Sequence, residues 1–229
     1  MPASVARLTR ALPRLTAAGA LACLVSLSTP ATATASIIGG SITSGGPGAQ
    51  FIELTLPFTA NPNNTVGNNT FQDNNLYGFD EDQNIVLTAL LSVDVVPSGN
   101  PFTLPVGTTV ASHYVFFDPQ SNTMDGYVEF DSDVVAIITS TGNLLASDFL
   151  ANTGVTYLNP TLRGLEPAQD SVTIESARRI RFISVASSPG DYVRVLTAYS
   201  PGAVPEPGTM TLLGLAALAG IGRRARRRH

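Results

Sequence analysis

Between residues 36 and 203 the side chains that could do chemistry are one histidine, sixteen carboxylates and several tyrosines and phenylalanines beside turns. His113 lies in the apolar run SHYVFF. An imidazole can serve as general base to a serine when an aspartate orients it. No Gly-x-Ser-x-Gly turn accompanies this one, and an apolar strand equally suits a hydrogen-bonded core histidine. A histidine-rich zinc site needs more ligands than this body offers. The acids gather as Asp80-Glu81-Asp82, as Asp118 and Asp125, and as Glu129, Asp131 and Asp133. Calcium takes several oxygen ligands, so Asp80, Asp82, Asp131 and Asp133 are the calcium candidates, although FDEDQN and FDSD lack the spacing of a calcium loop. No cofactor is otherwise expected. Two carboxylates about 5–9.5 Å apart could hydrolyse a glycosidic bond, a separation that spacing alone does not fix. Tyr77, Phe79, Tyr127, Tyr157 and Tyr192 border turns, where an aromatic ring stacks on sugar or closes a core edge.

These groups belong to a chain of 229 residues, 44% hydrophobic and 13% charged, with 16 prolines and 20 glycines. That length suits one domain with short extras. Low charge and 16 aromatics exclude a wholly disordered chain. No apolar run approaches the ~20 residues of a full membrane span, which excludes a multi-span protein. The net charge of −4 hides a segregation: all 13 basic residues are arginine, and 8 lie in the first 14 or last 7 positions. Residues 36–203 hold 5 arginines against 16 acids, leaving −11, so nucleic acid is not an expected partner.

The elements that must position the candidate groups read as strands. Ile52, Leu54, Leu56 and Phe58 alternate with their neighbours, as do Val172 and Ile174. Residues 85–96 and 110–117 are nearly continuous apolar runs, the pattern of strands buried on both faces. Segments 179–185 and 192–199 complete the set, and 127–139 holds one long strand or two, interrupted at Asp131-Ser132-Asp133. Turn chemistry falls between the runs, at Pro97-Ser98-Gly99, Asp125-Gly126 and Ser188-Pro189-Gly190. Only 144–151 hints at a helix, and the asparagine-rich stretch 61–75 reads as a long mobile loop. About eight short strands predict an all-β fold, an antiparallel β-sandwich of jelly-roll type, large enough to bury a core without disulfides.

The two ends read as addresses. Arg7, Arg10 and Arg14 precede an apolar stretch from 17 to 27, then Pro30 and the small-residue run ATATAS. A basic start, a short apolar core and a small-x-small exit are the parts of a secretory signal helix, with signal peptidase as its partner. Ala33 and Ala35 stand at the −3 and −1 positions for cleavage before Ser36, with cleavage after Ala33 as the near alternative. Cys23, the only cysteine, lies inside the apolar core; as a lipidation site it would want a bulky residue where Ala20 stands. Once the signal is removed, no thiol remains for a disulfide, a nucleophile or a metal.

At the other end, Pro205-Glu206-Pro207 is followed by an apolar segment from Thr209 to Gly222 and then five arginines. Two prolines two apart keep the motif extended. The apolar segment would make a helix of ~21 Å, short of a ~30 Å hydrocarbon core, and the arginines would hold its end in the cytoplasm. Residues 204–229 resemble the PEP-CTERM sorting tail of exosortase substrates. The resemblance implies that an exosortase cuts at or near Pro205, Glu206 and Pro207, in bacteria that typically make exopolysaccharide. The organisation is then a signal peptide over 1–35, a secreted body over 36–203 and a sorting tail over 204–229, anchored transiently in the inner membrane. The expected function is a non-catalytic surface or matrix protein that binds glycan, exopolysaccharide or other matrix components; the alternative is a secreted polysaccharide hydrolase.

Overall fold

The computed structural model describes residues 35–166 and 168–199. The expected signal helix with Ala33, the motif Pro205-Glu206-Pro207 and the C-terminal apolar helix lie outside the described residues. Among the described residues no helix is long and apolar enough to cross a membrane.

The chain is all-β and mostly antiparallel. One four-stranded sheet joins β1 (Ile37–Ser44), β9 (Ser121–Phe130), β13 (Arg179–Ser187) and β12 (Ser171–Ser176) in that order, every pair antiparallel. The larger sheet runs β10 (Val134–Ile138), β14 (Asp191–Ala198), β8 (Thr109–Phe117), β4 (Leu76–Asp80) and β2 (Phe51–Glu53), with β5 (Ile85–Val86) also pairing β8. Two pairs depart from the antiparallel expectation: β2 runs parallel to β4, and β3 (Thr65–Val66) parallel to β11 (Thr156–Tyr157). A small hairpin joins β6 (Leu91–Ser92) to β7 (Thr103–Leu104).

Period two on β8 and β14 explains where the cores sit. Val115, Phe117, Val193 and Val195 point to one side, where Met124, Val128, Phe130, Ile180 and Phe182 of the smaller sheet meet them. Tyr114, Phe116, Tyr192 and Leu196 point to the other side, into a second core. That core is closed by Leu87, Leu91 and Val93, by Leu144 of the short helix α1 (Thr141–Ala146), and by Leu150 of the 3-10 turn that follows it. The larger sheet is therefore buried on both faces, which is why its central strands carry unbroken apolar runs.

Several expectations need correction. Residues 85–96 are not one doubly buried strand but two short pieces in a segment that crosses the sheet face, burying Leu87, Leu91 and Val93 while Val86 and Leu90 stay exposed. The alternation from Phe51 is strand only to Glu53; Leu54 still donates to the Gly78 carbonyl at 2.8 Å, and the chain bends at Leu56-Pro57. Segment 61–75 is a long loop, as expected, but Thr65 and Val66 within it are fully buried in the pairing with β11. One expected alternative holds: residues 127–139 are two strands parted at Asp131–Asp133, with β9 and β10 in different sheets. β1 went unexpected because Gly39-Gly40 interrupts its pattern. A side chain at Gly40 would lie 2.6 Å from the Tyr127 carbonyl and 2.7 Å from the Phe51 ring, so close strand approach requires the glycine.

Candidate functional site

β4, β8 and β14 run side by side through the buried sheet and carry two polar networks, one on each face. On the face toward the smaller sheet, His113 places Nδ1 2.7 Å from Asp80 Oδ1 and Nε2 3.0 Å from Thr197 Oγ1. An Nδ1–H donating to the carboxylate leaves Nε2 to accept from the threonine hydroxyl. The order acid, imidazole, hydroxyl is that of a nucleophilic triad. Its accessibility is not. His113 and Thr197 are fully buried, the Phe130 ring lies 5.0 Å from the imidazole, and Asp80 Oδ1 also accepts from the Ile37 amide at 3.1 Å. In this conformation the trio is a hydrogen-bonded core element, with no room for a substrate carbonyl beside Thr197.

On the opposite face, beneath α1, Glu81 and Arg194 form a fully buried ion pair. Arg194 donates from Nε to Oε2 at 2.6 Å and from Nη2 to Oε1 at 3.0 Å. Ser112 Oγ and Tyr157 Oη complete the carboxylate shell at 2.6 and 2.7 Å. Arg194 also reaches Ser147 Oγ at 2.6 Å, the Leu144 carbonyl at 3.2 Å and Asp148 Oδ1 at 3.4 Å, locking α1 and the turn after it onto the sheet. Burial works against the guanidinium charge, but Glu81 outweighs it and holds the Arg194 pKa above its ordinary value. Burial and Glu81 likewise push the Tyr157 hydroxyl up, so it stays a donor. Neither Glu81 nor Arg194 stood out in the sequence as a pair; the signal was an arginine inside the apolar strand YVRVL.

The four calcium candidates are scattered in role. Asp80 serves His113, Asp82 is tied through its backbone to Leu150 and Ser112, and Asp131 Oδ1 accepts from the Ser36 amide at 2.9 Å. Asp133 pairs with Arg178 at 3.0 Å on the surface. No three of them converge. Among the described residues, the acids that do converge are Glu166, Asp170 and Asp191, whose carboxylate oxygens lie within 4.8 Å of one another. Asp170 accepts from the amides of Glu166 and Val185, each at 2.8 Å, and Asp191 accepts from Ser184 Oγ. Burial, reinforced by Asp170 and Glu166, raises the Asp191 carboxyl to about 7.

Of the five aromatics, Tyr77, Phe79 and Tyr192 are core residues, and Tyr157 is bound to Glu81. Tyr127 alone stands on the outer face of the smaller sheet, where the Arg179 guanidinium covers its ring at 4.3 Å. Arg179 and Arg181 there pair with Glu129 and Asp125, each at 2.5 Å, which leaves neither acid free as a catalytic carboxylate.

An amide-rich cleft of about 500 Å³ opens elsewhere, at one end of the sheets, lined by the turn after β1, the loop before β4 and the start of β9.

With a buried histidine relay, a buried ion pair and a polar cleft, the body defines an all-β protein with no open catalytic constellation among its described residues. The C-terminus is more specific: residues 203–228 match the family model of the PEP-CTERM protein-sorting motif. The chain carries this motif, which marks it as an exported protein sorted by an exosortase. No curated protein and no solved structure matches the chain.

Proposed function

We propose that this chain is exported, cut at its sorting motif and delivered to the cell surface or extracellular matrix, where a non-catalytic β-sandwich body binds glycan or other matrix components. The PEP-CTERM motif at 203–228 carries this reading. The body supports it, because its candidate nucleophile and base are sealed between sheets while its amide-rich cleft is polar and open. Calcium enters only as a structural ion, for which Glu166, Asp170 and Asp191 supply the converging oxygens. The hydrolase alternative rests on the Asp80–His113–Thr197 alignment and would require the sheets to part around Thr197.

The purified protein is expected to be retained by the host's extracellular matrix without shortening its polysaccharide, read by sedimentation and by size-exclusion profiles of the glycan. Turnover that disappears in Thr197→Val or His113→Gln would establish the hydrolase instead. In the sorting step, the apolar segment and its arginines stall the tail in the inner membrane and present Glu206 at a fixed depth. Changing Pro205 and Pro207 to alanine should therefore leave full-length protein in the membrane fraction. Normal truncation and surface delivery of that double variant would remove the motif from the sorting step.

A further inference from the structure

We propose that the cleft between the β1–β2 turn, the loop before β4 and the start of β9 is a binding subsite for neutral glycan, read through its hydroxyls. The inference rests on the matrix-protein reading above and assigns it a place and a ligand class.

The lining decides the class. Of nine residues, five are carboxamides (Gln72, Asn74, Asn75, Gln120 and Asn122), joined by the Asp73 carboxylate and the Ser121 hydroxyl. Each carboxamide offers two N–H donors and a carbonyl acceptor, the complement of a sugar hydroxyl that both donates and accepts. The lining holds no cation, and Asp73 disfavours an anionic ligand. Pro47 is its one sizeable apolar side chain, so an apolar ligand would bury little against it. The volume of about 500 Å³ falls within the roughly 300–1,000 Å³ of small-molecule sites.

The inner wall is fixed before any ligand arrives. Asn122 Nδ2 donates to Asn74 Oδ1 at 2.6 Å, over Gly46. A Cβ at Gly46 would lie 2.3 Å from the Asn122 amide nitrogen and 2.5 Å from that of Asn74, so only glycine admits the pair. Asn75 Oδ1 accepts from the Gln50 amide at 3.1 Å. Asp73 is gripped by Tyr77 Oη at 2.5 Å and by the Asn75 amide at 2.8 Å. Behind them the Phe71 ring packs on Tyr77 and Phe116, at 4.4 and 5.1 Å between centroids.

The outer wall is different. Gln72 and Gln120 are exposed and make no side-chain hydrogen bond among the described residues. Gln72 also holds a left-handed backbone, φ 52°, as do Asn68 at 52° and Asn69 at 62° in the same loop. Such conformations cost on the order of 1 kcal/mol each and persist where the surrounding structure imposes them. Here the left-handed turn presents one unused carboxamide, Gln72, and Gln120 supplies a second from the residue before β9, beside an inner wall that is already hydrogen-bonded.

Affinity electrophoresis of the exported protein, in gels carrying dextran, a galactomannan or alginate, tests the assignment. Retardation by a neutral polysaccharide is expected, and Gln72→Ala/Gln120→Ala should weaken it about tenfold or more, from two hydrogen bonds at about 1 kcal/mol each. The double variant should keep the parent melting temperature, since neither side chain has a partner to lose. A Tyr127→Ala control, on the outer face of the smaller sheet, should bind as the parent does. No retardation by either neutral polymer, retardation unchanged in the double variant, or stronger retardation by alginate would each overturn the subsite. Matrix retention of the parent protein is scored separately. Its persistence alongside a failed gel result leaves the matrix reading standing without this site, and its absence overturns the reading itself.

Discussion

Replacing Arg194 with methionine should lower the melting temperature by roughly 10 °C, the largest effect expected of any single substitution in this fold. The reason is the charge left behind. Glu81 would keep Ser112 and Tyr157 as donors but lose both guanidinium bonds, at a site with no exposed surface. Breaking a buried pair by removing one partner costs about 3–5 kcal/mol, because the survivor stays desolvated and uncompensated. Ser147 and the Leu144 carbonyl would lose their shared donor as well, loosening α1 from the sheet. A second change, Glu81→Met in the Arg194→Met background, should recover part of the loss, since two apolar side chains do not repeat the charge penalty. Thermal melts of the three variants check this. A single Arg194→Met variant that melts with the parent would mean that the pair contributes nothing net.

Stability should fall as pH rises from 5 to 8, by on the order of 3 kcal/mol. Two buried carboxyls set the sign. Burial raises Asp118 to about 6 against the pull of a hydrogen bond from the Phe71 amide, and it raises Asp191 to about 7. A carboxyl that binds its proton more tightly when folded contributes fully below its unfolded pKa of about 4. That contribution is lost as pH climbs through 6 and 7. Asp118 Oδ1 is buried without a partner, so its ionisation has nothing to offset it there. Asp118→Asn and Asp191→Asn should each flatten the profile and raise the melting temperature at pH 8. The difference between parent and variant melts isolates the contribution of each group. A profile that is flat or rising between pH 5 and 8, and unchanged in both variants, would contradict the assignment.

How much of this was legible depends on how local each signal is. β8, β12, β13 and β14 could be read because burial on one or both faces writes alternation or a continuous apolar run directly into four to nine neighbouring residues. Residues 85–96 look the same in composition, yet only one face, Leu87, Leu91 and Val93, is buried, and the segment pairs only in two-residue pieces. β1 was hidden by Gly39-Gly40, and the reason for Gly40, the closeness of Tyr127 and Phe51, lies elsewhere in the chain. The buried networks were the least legible. Glu81 and Arg194 stand 113 residues apart, and Asp80 and Thr197 meet only through His113. The acidic turns drew attention to Asp80, Asp82, Asp131 and Asp133, whereas convergence occurs at Glu166, Asp170 and Asp191, which no spacing rule connects. The sorting motif was fully legible because tripeptide, apolar segment and arginine cluster are consecutive.

Sorting is the central claim, and intact mass spectrometry of the protein recovered from the host's surface and membrane fractions tests it most directly. The account predicts a surface species that begins near Ser36 and ends within residues 204–207, with the apolar segment and arginines gone. A surface or membrane population ending only at His229 would contradict it, making the tail a permanent anchor that no exosortase removes.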